Sequence, residues 1–505
     1  MWPIVSQLGA PCGDTERPTR KRRLAWHNGG MHEFIHPLTA RYASGTMRRL
    51  FSPAVRLGLW RRLWLELMRA ERDLGVAIPA EALSQLERHL EPSEAELARA
   101  AEIERETRHD VMAQIRALAE VAPAAGPYLH LGATSCFVTD NADLIILRDA
   151  LDLILRRAAG VAAALAAFAR VHRDLPCLGR THFQPAQPTT VGKRACLWLA
   201  ELLADVERLE FERSRLRLRG AKGTTGTQAS FLQILGEAAK VAELERRLAG
   251  AFAFPGVYPV TGQTAPRKPE FYLLACLSGL AQSAHRFAGD VRLLAGLKEL
   301  DEPAGERQVG SSAMPYKRNP MRCERMSSLA RYLISLEANA AWTAASQWLE
   351  RTLDDSANRR LVLPEAFLTA DALLLLWRPV AAGLEVHPAM IRRNLDDELP
   401  FVASEEILLA AAAGGGDRQK LHERLRVLAR EAGNRVKDGG ERNPLLEMVA
   451  ADPAFGLDRT RLSELLEPRR FTGLAPQQVD EFLARVVEPF LATHPAAEGG
   501  EEPEV

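Results

Sequence analysis

The sequence has no excess charge of either sign. Its 65 Lys and Arg residues balance 65 Asp and Glu, which removes the global electrostatic pull on which nucleic-acid and anionic-membrane binding depend. It has no apolar run of the ~18–20 residues needed to span a bilayer. The Ala- and Leu-rich stretch 158–169 is too short and runs into Arg170. Six cysteines (Cys12, Cys136, Cys177, Cys196, Cys276, Cys323) show no CxxC or Cys/His metal spacing. They read as reduced thiols of an intracellular, cytoplasmic protein, not as a disulfide framework or a zinc site. No His/Asp/Glu cluster has metal-ligand spacing; His109-Asp110 is a neighbouring pair only. No Gly-x-Gly-x-x-Gly follows a strand, and there is no Walker loop. The Gly-Ala-Lys-Gly-Thr-Thr-Gly run at 220–226 lacks both the preceding strand and the Lys-Ser/Thr ending of a phosphate cradle. Convincing strand alternation is scarce throughout.

What is present is helix. The 505 residues are 47% hydrophobic and 26% charged, ordinary for a globular chain. Leu57, Trp60, Leu63, Trp64 and Leu67 recur at three- and four-residue steps from Pro53, one apolar face. A second helix is expected from Ser93 to about Glu120, carrying Glu104, Thr107 and Arg108-His109-Asp110. A third is expected to start under an Asp140-Asn141 cap and run to His172. Long helices should follow over 191–219, from about 267 to Leu300, over 321–349 and over 361–384, with shorter ones over 387–493. The stretches 144–168 and 191–209 are apolar over more than one stripe, so these helices need neighbours on several sides. The fold class expected is all-α, with a long-helix bundle shared between subunits. Residues 1–30 carry the basic run 17–23 but no secretory core. They are expected to be a disordered extension, or Met31 to be the start, which the intact mass of natively expressed protein distinguishes.

Polar, Gly- and Pro-punctuated loops interrupt the helices, and loops carry function on a rigid scaffold. Val309–Pro320 holds Gly-Ser-Ser, two prolines and Lys317-Arg318-Asn319. Ser311 and Ser312 are alternative hydroxyls for moving a proton, and Lys317 and Asn319 suit an anion; the same loop also reads as a plain connector. His182 lies between Arg180 and Pro185, as a catalytic or a structural histidine. Arg351, Arg359 and Arg360 with Asp354 and Asp355 form an anion site or a solvated ion-pair network.

Several motifs in one order settle these alternatives by resemblance. Gly310–Asn319 matches the Gly-Ser-Ser-x-Met-Pro-x-Lys-x-Asn signature of the fumarase/aspartase superfamily. Also present are Thr-Arg-His-Asp-Val (107–111), Gly-Ala-Thr-Ser (132–135), Thr-His-Phe-Gln-Pro-Ala-Gln (181–187), Lys-Gly-Thr-Thr-Gly-Thr (222–227) and Arg-Thr-Leu-Asp-Asp-Ser-Ala-Asn-Arg-Arg (351–360). Together they resemble the adenylosuccinate lyases, in particular the animal-type branch. The resemblance implies three mostly helical domains: 31–133, 134–386 with the signature loop 309–320, and 387–493, ahead of an acidic disordered tail at 494–505. It implies a homotetramer in which each active site draws on three subunits, with no metal and no organic cofactor. The partners implied are small nucleotide substrates and other copies of the chain, with no nucleic acid and no membrane.

The reaction implied is β-elimination of fumarate from adenylosuccinate and from succinylaminoimidazole-carboxamide ribotide in purine biosynthesis. By the same resemblance Ser311 is the general base and His182 the general acid. Lys317 and Asn319 stabilise the aci-carboxylate, and Glu324 orients and charges the histidine. Arg41, Tyr42, Arg351, Ser356 and Arg360 are expected at the phosphate. Arg108, His109, Asp110, Thr134, Ser135, Thr181, Gln263 and Arg325 line the rest of the pocket. The alternatives are another lyase of the superfamily, such as an argininosuccinate lyase, or a non-catalytic scaffold that kept the fold.

Overall fold

The computed structural model of the protein describes residues 34–305 and 313–495. The expected extension 1–30, the signature residues Val309–Ser312 with both candidate serines, and the chain beyond 495 lie outside the described residues. Helix α1 (Pro53–Asp73) starts under Ser52, whose Oγ accepts from the Val55 amide, with Pro53 at the first helical position. Its Leu63, Trp64 and Leu67 are buried, as the spacing predicts.

The helix expected over 93–120 is two helices. α2 (Glu94–Thr107) opens on a reciprocal Ser93/Glu96 capping box. It stops because Arg108 turns left-handed (φ +53°). His109 is extended and caps α3 (Asp110–Val121), its Nδ1 accepting from the Met112 amide at 3.3 Å. Arg108 and His109 therefore sit in a break between helices.

Among the described residues, five long helices form the body: α4 (Ser135–Val171), α5 (Val191–Arg215), α6 (Lys268–Gly296), α7 (Met321–Ala345) and α8 (Asp355–Ala382). α4 and α8 run the same way, since Asp143 pairs with Arg359 near their starts and Gly160 packs on Arg378 further along. α6 runs with them, from Glu270 beside Arg359 to Leu300 beside Val386. α5 and α7 run back: Arg213 returns to Asp152, and Asn339 meets Asn358 while Tyr332 meets Glu365. Their apolar faces share one continuous core, in which Ala158, Ala162 and Ala166 of α4 are buried. A separate apolar cluster on Ile407, Leu421, Leu425, Leu445 and Val449 holds part of the C-terminal region, which begins with α9 (Pro388–Val402).

Asp140 and Asn141 do not cap α4. It starts five residues earlier, after extended Thr134, and both side chains are buried inside it and bonded across the bundle. The stretch 173–190 between the helices expected to His172 and from 191 is not a plain loop. β1 (Pro176–Thr181) and β2 (Gln184–Thr190) form an antiparallel hairpin. Its tip is His182-Phe183, both at positive φ (+55° and +58°), as a two-residue type I′ loop requires. β3 (Leu300–Asp301) and β4 (Glu385–Val386) pair antiparallel, joining the chain ahead of the signature loop to the chain after α8. The helix expected from 361 begins at Asp355, so Ser356, Arg359 and Arg360 lie in its first turns. Among the described residues no helix is long and apolar enough to cross a membrane.

Candidate active site

Most of the expected binding residues gather where α4, α6 and α8 begin. His109 accepts the Met112 amide at Nδ1, and its Nε2 faces Ser135 Oγ at 3.4 Å. Arg360 donates to Asp110 Oδ2 at 3.2 Å. Arg351 reaches the thiol of Cys136, next to Ser135. The Gln263 amide donates to the Glu350 carbonyl at 2.9 Å, and the Gln263 carbonyl accepts from buried Arg219 Nε at 2.6 Å. Ser356 is half-buried one turn before Arg360. Thus Thr134, Ser135, the 108–110 break, Gln263 and the 351–360 segment form one polar face that includes Arg351 and Arg360.

The glycine-rich stretch beneath it is structural. Arg219 donates to the carbonyls of Gly220 (3.2 Å) and Gly223 (2.7 Å), and Asn141 Oδ1 accepts the Gly220 amide at 3.1 Å. Lys222 is buried against Glu245 at 2.9 Å, so its ammonium is already paired. His130 fixes the loop ahead of Thr134, accepting from Trp64 Nε1 at 2.9 Å. Burial, then the neighbouring His109, pushes its pKa down to about 4, so it stays neutral.

Tyr42 and Arg325 form a second, smaller group, with the guanidinium 6.0 Å from the ring centroid. Beside Tyr42, Arg41 has a buried Nε with no hydrogen-bond partner among the described residues.

The expected chemical groups lie at the other end of the bundle. His182 is exposed at the hairpin tip, with Thr181 closing β1 beside it. Just below the tip, Arg180 lies over the Phe183 ring at 5.8 Å and within 3.8 Å of Glu299. In the described part of the signature loop, Lys317 is exposed and its amide donates to Met314 at 3.0 Å; the Asn319 carbonyl accepts from Met321 at 2.8 Å. Arg318 binds both oxygens of Glu385 at 2.8 Å and the Glu302 carbonyl at 3.1 Å. The Glu302 carboxylate accepts the amides of Arg322 (3.0 Å) and Cys323 (2.9 Å) at the start of α7. Glu324 is exposed on that first turn. Among the described residues no hydrogen bond or ion pair joins His182 to Lys317 or Glu324 within one chain.

The two ends are far apart. Ser135 opens α4, and the hairpin with His182 follows its end. A 37-residue helix is about 55 Å long at 1.5 Å per residue. One chain therefore presents the arginine face and the histidine on opposite ends of a rigid rod. Sequence reasoning missed the residues that hold these pieces (Arg219, Glu302, Glu385, and Asp140 with Arg267). They belong to no motif, and each also bonds to a segment well separated in sequence, as Arg219 does to Gln263 and Asp140 to Arg267.

Residues 56–334 match the family described as "Lyase", and residues 400–482 match "Adenylosuccinate lyase C-terminus". The chain is 51% identical over 456 residues to the adenylosuccinate lyase of Saccharomyces cerevisiae, covering 90% of this chain and 95% of that protein. The chain belongs to the adenylosuccinate lyase family. It is accordingly an enzyme, a carbon–nitrogen lyase. The adenylosuccinate lyase of Schizosaccharomyces pombe is 49% identical over 90% of this chain and 95% of that protein, and that of Schistosoma mansoni 44% over 92% and 96%. Among solved structures, the chain superimposes on 3-carboxy-cis,cis-muconate lactonizing enzyme from Pseudomonas putida with a TM-score of 0.77 at 26% identity, covering 89% of this chain and 98% of that one. Fumarate lyase from Mesorhizobium sp. BNC1 gives 0.75 at 28% identity over 88% and 99%. This family member thus has the mostly helical, multi-domain fold of the superfamily.

Proposed function

We propose that the chain cleaves adenylosuccinate to AMP and fumarate, and succinylaminoimidazole-carboxamide ribotide to aminoimidazole-carboxamide ribotide and fumarate, in cytoplasmic purine biosynthesis. The observation that carries this reading is the arginine face, where Arg351 reaches Cys136 beside Ser135, Arg360 pairs with Asp110 beside His109, His109 meets Ser135, and the Gln263 backbone bonds to Glu350. Such a face suits a substrate with a phosphate and carboxylates, which guanidinium groups bind in bidentate fashion. Arg41, Tyr42 and Ser356 complete the phosphate end. Arg108, Asp110, Thr134, Thr181 and Arg325 line the remainder.

Elimination removes a proton from the carbon α to a carboxylate. The electrons form the alkene as the C–N bond breaks, and the leaving nitrogen takes up a proton. Ser311 is the proposed base. Lys317 and Asn319 disperse the charge that builds on the carboxylate. His182 protonates the nitrogen, a step typically worth ~10²–10⁴ in rate, and Glu324 orients it.

The site is assembled by a homotetramer. A span of about 55 Å between the arginine face and His182 supports contributions from different copies. So do apolar residues left on the surface of the bundle, such as Trp342 at 75% and Leu349 at 98% exposure. The three-domain division at about 134 and 387 follows the same scheme. Purified protein given adenylosuccinate should lose the succinyl-purine absorbance and release equimolar fumarate. Turnover of argininosuccinate instead would reassign the substrate, and inertness towards both would leave only the fold.

A further inference from the structure

A buried ion assembly lies directly beneath the arginine face. Arg267 is 4% exposed, and Asp140 and Asp355 are each 2% exposed. The Arg267 guanidinium donates through Nε to Asp355 Oδ2 at 2.8 Å and through Nη1 to Asp140 Oδ2 at 3.0 Å, with Glu270 at 3.6 Å. Asp140 also accepts the Ala265 amide at 2.7 Å. Arg359 binds Glu270 at 2.8 Å and Asp143 at 3.0 Å. The assembly joins three segments. Asp140 and Asp143 lie on α4 behind Ser135, Arg267 ends the turn that presents Gln263, and Asp355 and Arg359 flank Ser356 ahead of Arg360.

Burying this many charges is costly, and apolar packing of equal volume gives similar or better stability. What the ions add is direction, because a planar guanidinium fixes two carboxylates in one plane. Burial alone would raise the Asp140 pKa, but Arg267 and Arg359 outweigh it and hold the carboxyl below its ordinary value. The contact also reaches Arg351. Gln263 donates to Glu350, and a Cβ on Gly262 would come within 2.5 Å of the Glu350 carbonyl oxygen. The turn and the 350–351 backbone are therefore in direct contact, and displacement of one moves the other.

We infer that Arg267 is a positioning residue for substrate anions. By bridging Asp140 and Asp355 it locks the 261–267 turn against the start of α8, so that Gln263, Arg351, Ser356 and Arg360 present one surface. The inference rests on the proposed function for the assignment of those four residues to substrate.

Arg267→Lys keeps the charge but loses the fork. With adenylosuccinate it should raise KM about tenfold while kcat changes less than about threefold, and on an Arg351→Ala background it should add less than about twofold, the coupling expected of groups that act together. A merely structural role would lower active enzyme and melting temperature without that non-additivity in KM. An unchanged KM, or a full tenfold effect on the Arg351→Ala background, overturns the inference. Should Arg267→Lys not fold, the isosteric Asp355→Asn is read by the same criteria. Wild-type protein that fails to turn over adenylosuccinate overturns the proposed function instead, so the two failures are told apart.

Discussion

Arg360 and Asp110 meet across 3.2 Å although 250 residues separate them in the chain. The contact joins two motifs that the sequence displays only as separate strings. It is also half in solvent, with the arginine side chain 63% exposed, and an exposed ion pair is worth about 0–1 kcal/mol. Stability does not explain it, whereas a guanidinium ready to exchange a carboxylate for a phosphate does. Arg360→Ala and Arg351→Ala should therefore raise KM for adenylosuccinate by about 10–100-fold with a smaller effect on kcat, the signature of lost uniform binding. Arg360→Ala should leave the melting temperature within about 2 °C. Steady-state kinetics and a thermal melt check both.

Glu302 holds both stems of the signature loop. Its carbonyl takes Arg318, and its carboxylate takes the first amides of α7. Glu302→Gln removes one of the two strong acceptors and is expected to cost about 1–2 kcal/mol, as a lost helix cap does. It should lower kcat more than it raises KM, because the proposed roles of Lys317 and Asn319 belong to the chemical step. Equal loss in urea stability with unchanged kcat would confine Glu302 to the fold.

Glu71 on α1 is fully buried, and neither carboxylate oxygen has a hydrogen-bond partner among the described residues. Burial pushes its pKa up to about 8. A folded-state pKa above the unfolded one means that the native state binds more protons between the two values. The contribution to stability is complete below about pH 4.5 and is lost as pH rises through about 8. Glu71→Gln should thus match the wild type near pH 4.5 and exceed it in stability at pH 8 and above. Urea midpoints measured across that range test the sign.

Much of the fold was legible because its helices are long and their apolar stripes persist. α4, α5, α6 and α7 fall within a few residues of their expected bounds at one end or both. The errors occur where the backbone turns left-handed without glycine. Arg108 breaks a helix at φ +53°, and His182-Phe183 turns a hairpin at +55° and +58°, positions at which sequence rules expect Gly or Asn. Pro185 and Pro188 lie within β2, where proline is uncommon. Asp140 looked like a cap because acidic residues favour helix starts. Its true partner, Arg267, lies 127 residues on, beyond any local pattern. The proposed site residues are legible only as motifs. That the arginine face and His182 lie far apart within one chain follows from the length of α4.

Ser311, which lies outside the described residues, carries the proposed base function. Ser311→Ala should abolish turnover while adenylosuccinate binding, followed by calorimetry, stays within about threefold of wild type, since the hydroxyl acts mainly in the transition state. Retention of most of the rate would remove Ser311 from that role.

Sharing of the site between copies is tested most directly by subunit complementation. His182→Ala and the double variant Arg351→Ala/Arg360→Ala disable opposite ends of the bundle. Each should be nearly inactive alone at limiting substrate. After verified subunit exchange at equal amounts, roughly a quarter of the sites in a statistically mixed homo-oligomer combine an intact histidine from one copy with intact arginines from another. The account predicts recovery of activity towards that fraction. No recovery from a demonstrably mixed oligomer would contradict it.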